Sequence, residues 1–557
     1  MPDPSTTIFG VQGWRVLSGL DGHGLLGFQL QLKKHIFDHK PSHFFMLHKI
    51  IRTKLSPLWL LLFFFAYFLF WWSYKLGSLP GLHGDEAWSG LKAYRFDGNG
   101  ITQITGMNNY TGVLEALSSL CTFKILGMGV VQLRSVGIIL NLIGLMVLSW
   151  QIKKIINSSA SVVLLMIIAQ SVMYLFLPRV AWEVNTYNLI LSAVTFMLFE
   201  KIRRRESDSH FLKVIFFLLL NIIGSYNHIV FSCISISALL GIVVWSLYNH
   251  SLFYAKLIYL LSINALNIVA VFLSMRYFNQ ALFHHLIILS ITLITILLME
   301  VKVYQIITKI AIPPSLKICI SYWVIKLFLA ISAAWFLYVH GLAFFNVISG
   351  YKILLIGYSY TCPEWAKWIM LIFAAFYCAY LLMFIWLDVR SRNNSLLAIY
   401  IICYCGLLTF YTTGTAFRYY LGLYLITACY LAYKISIDLK KQTLFLGMLT
   451  VAIICVNLLQ IEIFCTKNRM VKAIWFKWSA NQIATSAHFL PKEPLLNYLV
   501  SHNVTKVKCS VNDDYFINGP LLFYEFAKPR SAGFGNHSIS ISFDKKNGTG
   551  FIIKPNN

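Results

Sequence analysis

Charge is what this chain lacks. Only 12% of its 557 residues are Asp, Glu, Lys or Arg, and acids are the scarcer kind, 21 against 46 bases. Soluble domains carry about a quarter charged residues, so an ordinary water-soluble globule is excluded. The deficit is filled by 58% hydrophobic and 16% aromatic residues, gathered into runs of the ~20 residues that a helix needs to cross hydrocarbon. In lipid only helices and closed barrels satisfy every backbone group. Runs of this length therefore read as a polytopic helical membrane protein.

Other absences narrow the function. A cleavable signal peptide needs a compact apolar core, but residues 1–40 carry Asp3, Asp21, Lys33, Lys34 and Asp38, so the first span is expected to do the targeting. The 11 cysteines include no CxxC pair; Cys403 and Cys405 sit inside an apolar run and read as packing. Cys465 and Cys509 lie in a polar C-terminal stretch, where a disulfide requires an extracytoplasmic location. The net charge of +25 raises a nucleic-acid reading. Its bases are scattered through loops with no aromatic-interleaved soluble patch, so no nucleic-acid partner is expected. His83, His228, His284, His285 and His340 map near outer span ends without HExxH or paired-carboxylate spacing. No metal is expected, although Asp85, Glu86 and His83 would be its ligands were the fold to gather them.

What is present is a series of apolar runs, near 57–78, 130–150, 160–178, 187–200, 212–225, 229–248, 256–276, 284–302, 318–340, 367–387, 395–412, 418–434 and 443–464. The expected architecture is an all-α polytopic bundle of about 13 transmembrane helices with a small extracytoplasmic α/β C-terminal domain. Three regions follow: a cytoplasmic extension over 1–56, a transmembrane catalytic module over 57–464 with an external loop at 79–129, and the C-terminal domain over 465–557. Lys49, Arg52 and Lys54, "QIKK", "EKIRRR", "MEVKVYQIITK", "DVRSR" and "DLKK" all fall on one side of this threading. By the positive-inside rule that side is cytoplasmic, which places the N-terminus inside and the C-terminus outside. In the tail, "EPLLNYLVSHN" reads as a helix, and "HSISISFDKKNGTGFIIK" reads as a β-hairpin turned at Lys-Asn-Gly.

One acidic stretch stands out. "LPGLHGDEAWSGLKAYRF" follows the first span and places Asp85 and Glu86 side by side where that span leaves the bilayer. The pair reads as an N-cap and a first-turn acid of a helix lying on the outer membrane surface, with Trp88, Leu91 and Tyr94 on its apolar face. It also reads as general-base chemistry, a carboxylate accepting a proton from an attacking hydroxyl or amine. Arg418, beside Tyr419 and Tyr420 at the outer start of a span, suits a phosphate clamp or an interfacial anchor. Arg179 after Pro178 is a second such cation, and Lys92 and Arg95 lie further along the acid helix. Lys326, inside "SYWVIKLFLAISAAWF", is expected to snorkel.

The acid loop "HGDEAWSGLKAYRF" resembles the first external loop of the GT-C membrane glycosyltransferases, in particular the protein O-mannosyltransferase and lipid A aminoarabinose transferase branch (glycosyltransferase family 39-like). "VVQLRSVGIILNLIGLMVLSWQIKKI", "LPRVAWEVNTYNLILSAVTFMLFEKIRRR" and "TGTAFRYYLGLYLITACYLAYKI" resemble later segments of the same proteins. The resemblance covers roughly residues 55–465 and is most specific at the acid loop and the "RYY" segment. It implies transfer of a hexose or pentose from a polyprenyl-phosphate donor to an extracytoplasmic glycolipid, glycan or protein acceptor. Asp85 would be the base with Glu86 beside it, Arg418, Tyr419 and Arg179 would hold the donor phosphate, and Glu183, Asn185, Lys92 and Arg95 would give support. No cofactor is implied beyond the donor, with a divalent metal left open. Two departures leave the sugar open: Glu183 and Asn185 stand where several relatives carry Asp, and "YYLGLYLITA" replaces a proline-rich run. Acceptor identity is expected to reside in the C-terminal cap and in "GYKILLIGYSYTCPEWAK".

The rival class is a transporter or flippase of lipid-linked sugars, which predicts internal repeats or broken helices with mid-membrane charge. A bacterial inner membrane is the expected location. The endoplasmic reticulum is the alternative, for which the Asn-x-Ser/Thr sites at Asn109, Asn503, Asn536 and Asn547 would matter.

Overall fold

The computed structural model of the chain describes residues 57–78, 80–108, 110–204, 210–248, 322–349, 364–391, 395–411 and 417–438. Toward the C-terminus it describes 492–501, 504–509, 511–527, 537–543 and 551–555, with short pieces at 354–355, 358–359, 451 and 454–455. Two compact units divide the chain, Met1–Ser56 and Pro57–Asn557, and all described residues belong to the second. The expected spans at 256–276 and 284–302, nearly all of that at 443–464, the four sequon asparagines and Cys465 lie outside the described residues.

Helix α1 (Pro57–Ser73) shows how these segments are built. Proline suits a helix start, where its missing N–H is not needed. Leu60, Leu61, Phe64, Tyr67, Phe68 and Trp72 are buried at helical spacing, while Leu58, Trp59, Leu62, Phe63, Leu69 and Phe70 remain exposed. A helix apolar on both faces, with one face unpacked, is suited to lipid. Trp72 donates Nε1–H to the Tyr174 carbonyl at 2.9 Å, satisfying the indole inside the bundle.

After helices α2 (Gly84–Asn99) and α3 (Leu114–Leu126), the bundle continues with α4 (Val130–Ile155), α5 (Ser158–Gln170), α6 (Val172–Phe176), α7 (Glu183–Arg204), α8 (His210–Asn227) and α9 (Val230–Tyr248). It resumes with α10 (Tyr322–Ser349), α11 (Glu364–Ser391), α12 (Ser395–Tyr411) and α13 (Leu421–Asp438). Among the described residues, 130–155, 326–349 and 371–390 are individually long and apolar enough to cross a membrane. The chain is an integral membrane protein. The expected single span at 160–178 is instead broken: α5 and the segment Met173–Arg179 meet at 85°. Ser171 is the cause, an extended residue whose hydroxyl accepts from the Tyr174 N–H and so starts a new helix in place of continuing the old one.

Helices α4 and α7 pack closely because glycine faces the crossing. A Cβ at Gly144 would come within 2.9 Å of the Ile190 backbone nitrogen, and one at Gly137 within 3.0 Å of the Pro178 carbonyl. Small residues allow such backbone approach in membrane bundles. Between them Asn141 donates to the Asn185 carbonyl at 2.9 Å. Asp388 on α11 accepts from Tyr430 at 2.8 Å and pairs with Lys434, both on α13, tying the far ends of those two helices together.

A short antiparallel pair, β1 (Leu354–Leu355) and β2 (Tyr358–Ser359), lies in the "GYKILLIGYSY" segment. The C-terminal part carries α14 (Glu493–Ser501), β3 (Val504–Cys509), α15 (Val511–Ala527), β4 (His537–Phe543) and β5 (Phe551–Pro555). Strands β3 and β4 are parallel and β4 and β5 antiparallel, with Ile541 opposite Ile553. The helix and the hairpin strands stand where the sequence predicts them.

Candidate active site

Helix α2 begins one residue earlier than its acids suggest. The N-cap is His83, not Asp85: its Nδ1 accepts from the Asp85 N–H at 3.0 Å, and its own N–H donates to Glu86 at 3.0 Å. This reciprocal arrangement is a capping box with histidine in the usual Ser/Thr role. It fixes the two acids in different directions, because neighbouring side chains on a helix are about 100° apart.

Glu86 points inward and is fully buried. Arg134 donates Nε and Nη2 to its two oxygens, each at 2.8 Å, and both side chains are fully buried. The Ala181 N–H adds a third contact to Glu86 at 2.9 Å, and Arg134 Nη1 reaches the Leu76 and Pro80 carbonyls, each at 2.8 Å. One ion pair therefore joins the end of the first span, the start of α2, the start of α4 and the turn before α7. Glu86 is thus an anchor of the acid loop, its oxygens taken up by Arg134, Ala181 and the His83 N–H.

Asp85 points outward, partly exposed, into a crevice that Trp88, Lys92, Glu115 and Glu183 also line. Helix α2 is not laid on a lipid surface. Its Gly90 admits the ring of Phe523 from α15, where a Cβ would lie 2.3 Å from a ring carbon, and Tyr94 stacks on Phe526 at 4.6 Å. Leu91 is buried with Phe523. The expected interfacial face is thus covered by the C-terminal helix.

Lys92 is buried instead of reaching toward lipid. Its ammonium bonds to the Thr105 carbonyl and to Gln103 and lies 4.8 Å from the Trp88 ring centre. Burial pulls its amine down to about 8. Glu115, at the start of α3, is held up to about 8 by burial, with Thr186, Glu183 and Glu86 as weaker influences. The crevice thus contains two groups that change charge slightly above neutral pH, beside an acid with solvent access.

Across from the acids lies a cation held by rings. Arg418, in the 3₁₀ turn Phe417–Tyr420, has its guanidinium 5.0 Å from the Trp182 ring centre and 5.1 Å from that of Tyr419. Its Nη2 donates to Tyr419 Oη at 3.3 Å, whereas Nη1 is buried without a hydrogen-bond partner among the described residues. Asp85 and Glu183 both act on it electrostatically. Tyr110 joins this group; burial, then Tyr419, pushes its phenol up to about 12 against the pull of Arg418. His228 stacks near Tyr110 and Tyr419 at 5.5 and 5.4 Å, and its Nδ1 accepts from the Val230 N–H. Burial, with Arg418 adding, drives its pKa to about 3, so the ring is neutral. Tyr420, next along, shares a 2.7 Å hydrogen bond with His340 of α10.

The remaining expected residues lie elsewhere. Arg179 is buried, bonded to the Tyr74 carbonyl and lying over Phe176, so it secures the end of the first span. Asn185 is buried against Asn141 and Val180. Arg95 is exposed and does not line the crevice. Tyr110, Glu115, Arg134 and His340 were not singled out for these roles by sequence. For Arg134 the available signal is a base inside the apolar run "VVQLRSVGIIL". Among the described residues no three His, Cys, Asp or Glu side chains gather as metal ligands. Glu86 is engaged by Arg134, and His83 Nδ1 accepts from the Asp85 N–H.

Neither a protein-family model nor a curated protein matches the sequence. Among solved structures the chain is similar to the Archaeoglobus fulgidus oligosaccharyltransferase in complex with Zn and sulfate, at 10% identity and TM-score 0.48, over 82% of this chain and 61% of that one. The chain thus spans about three-fifths of that neighbour's length. It is also similar to ArnT from Cupriavidus metallidurans bound to undecaprenyl phosphate, at 12% identity and TM-score 0.40, over 84% and 76% of the two chains. A further structure of the archaeal enzyme, AglB with an inhibitory peptide and a dolichol-phosphate, gives 11% identity and TM-score 0.46 over 84% and 64%.

Proposed function

We propose that the chain transfers a sugar from a polyprenyl-phosphate donor to an extracytoplasmic acceptor. The observation that carries this reading is the pairing of a solvent-reaching acid, Asp85, with a ring-held guanidinium, Arg418, that has an unused buried donor nitrogen. An acid alone caps helices, and an arginine alone anchors interfaces. Close enough to act on each other electrostatically, they suit the two charges of a group transfer.

In the step, an acceptor O–H or N–H attacks the anomeric carbon while its proton passes to Asp85, which is general-base work. The bond from that carbon to the phosphate oxygen breaks, and both its electrons leave with the polyprenyl phosphate. Arg418 Nη1, with the Tyr110 and Tyr419 hydroxyls, takes up the charge that develops on the departing phosphate, an electrostatic stabilisation strengthened by exclusion of water. Glu183 acts on Arg418 electrostatically. Glu86, Arg179 and Asn185 hold the frame. The hexose or pentose and the acceptor class are left to experiment. The proposed setting is a bacterial inner membrane with the site facing the periplasm, and the endoplasmic reticulum lumen is the alternative.

A flippase is the second reading, favoured by the broken helix at Ser171. Purified protein given a panel of polyprenyl-phosphate sugars and saccharide, lipid and peptide acceptors separates the two. Release of polyprenyl phosphate coupled to product formation supports transfer, and an Asp85→Asn variant is expected to lose at least about 100-fold of it with an unchanged melting temperature. Movement of labelled donor across vesicles without release, equal in both proteins, would establish the flippase instead.

A further inference from the structure

Glu115 is a buried acid that the proposed step does not use. Its side chain is 3% exposed, yet neither carboxyl oxygen makes a hydrogen bond of good geometry among the described residues, with only the Thr186 hydroxyl close enough to act on it. Leaving a buried polar group unpaired is costly, and native proteins tolerate it chiefly where something else completes the bond. Here the residue lines a narrow crevice, open to solvent, that it shares with Asp85, Trp88, Lys92 and Glu183.

We propose that Glu115 is a specificity residue that reads a hydroxyl group of the sugar seated in this crevice. The inference rests on the transferase reading and adds a residue to it. A neutral carboxyl offers one O–H donor and one carbonyl acceptor, the complement of a hydroxyl, which also gives and takes one hydrogen bond. The surroundings favour that neutral form. Glu86 from α2 and Glu183 from α7 would repel an ionised Glu115, Tyr187 of α7 adds no positive charge, and Arg134 of α4 is committed to Glu86. Lys92 is the remaining cation nearby, and it is already bonded to Thr105 and Gln103. A cationic ligand would need Glu115 ionised, whereas a hydroxylated one does not. Trp88 supplies the apolar wall against which a sugar ring can lie. The hydroxyl can belong to the sugar of the donor or to that of the acceptor, and the same chemistry serves both.

The test uses full-length protein with Glu115→Leu and Glu115→Gln. Glu115→Leu removes both hydrogen-bonding groups without introducing an unpaired one, so its melting temperature is expected to hold while the KM of one substrate rises about tenfold or more. A rise for the lipid-linked donor assigns the hydroxyl to the donor sugar, and a rise for a methyl glycoside acceptor assigns it to the acceptor. Glu115→Gln, which keeps one donor and one acceptor, is expected to restore most of that affinity at pH 7. In the wild type, affinity falls as pH rises through about 8, where Glu115 ionises. In Glu115→Gln that decline is reduced to whatever Lys92 alone contributes. Unchanged KM values for both substrates in Glu115→Leu would overturn the proposal. If the wild type transfers nothing, the transferase reading fails. Saturation-transfer NMR with a panel of methyl glycosides then decides the inference alone: sugar contact in the wild type that is lost in Glu115→Leu supports it. No contact, or equal contact in both, sinks it.

Discussion

Two acids of the same outer region, Glu86 and Glu115, are equally hidden from water and treated in opposite ways. Glu86 receives hydrogen bonds from Arg134, Ala181 and the His83 backbone. Glu115 receives none of good geometry among the described residues, with only the Thr186 hydroxyl near it. The first is a group whose bonds are complete, so it can hold a frame but has nothing left to offer a ligand. The second is a group kept dry and incomplete, which is stable only if a ligand or water supplies the missing partner. Burial alone therefore does not separate scaffold from site here; the completeness of hydrogen bonding does.

The largest effect that would sharpen this contrast is at the anchor. Replacing Arg134 by Met strands a buried carboxylate, a change that costs about 3–5 kcal/mol, and the variant is expected to melt far below the wild type or fail to accumulate. Adding Glu86→Leu to it should recover part of that loss, and an equally unstable double variant would show that the pair is not the anchor. A change at Gly90 is expected to cost less. Gly90→Val drives side-chain atoms into Phe523, an overpacking worth about 1–3 kcal/mol, and Phe523→Ala in the same chain should relieve it. Thermal unfolding of the four proteins in that cycle measures whether α15 truly seats on α2. The smallest effect lies at His340. His340→Phe removes the hydrogen bond to Tyr420 two residues from Arg418, and loss of one such bond is worth about 1 kcal/mol. A rise of about fivefold in donor KM with kcat little changed, reversed by His340→Gln, would mark it as a positioning residue; equal KM values would leave it a packing residue.

The sequence carried the local parts of this picture well. Apolar length placed α1, α4, α10, α11 and α12 near their observed positions, and the Lys-Asn-Gly turn placed the β4–β5 hairpin. It carried the adjacency of Asp85 and Glu86 but not their division of labour, because that is decided by Arg134 and Ala181, which approach from 48 and 95 residues away. The break at Ser171 carries neither proline nor glycine to announce it, only a hydroxyl that competes with the backbone for a hydrogen bond. The apolar face of α2 was visible as a pattern, while its partner was not: an exposed stripe of Leu91 and Tyr94 fits a membrane surface and a docking helix equally well by sequence. Tyr110 and Glu115 lie in or just beyond an irregular loop, where no periodicity assigns direction.

The Glu86–Arg134 anchor also sets a timetable. During synthesis the acid loop leaves the ribosome before Arg134, and Arg134 before Ala181, so the loop cannot take its final shape until the turn before α7 has been made. Arg418, carried by a much later segment, arrives last. A nascent or truncated chain therefore holds the acid without its opposing cation, and the site comes into being only near completion of the protein. If the transferase reading holds, catalytic competence and successful membrane assembly become a single event.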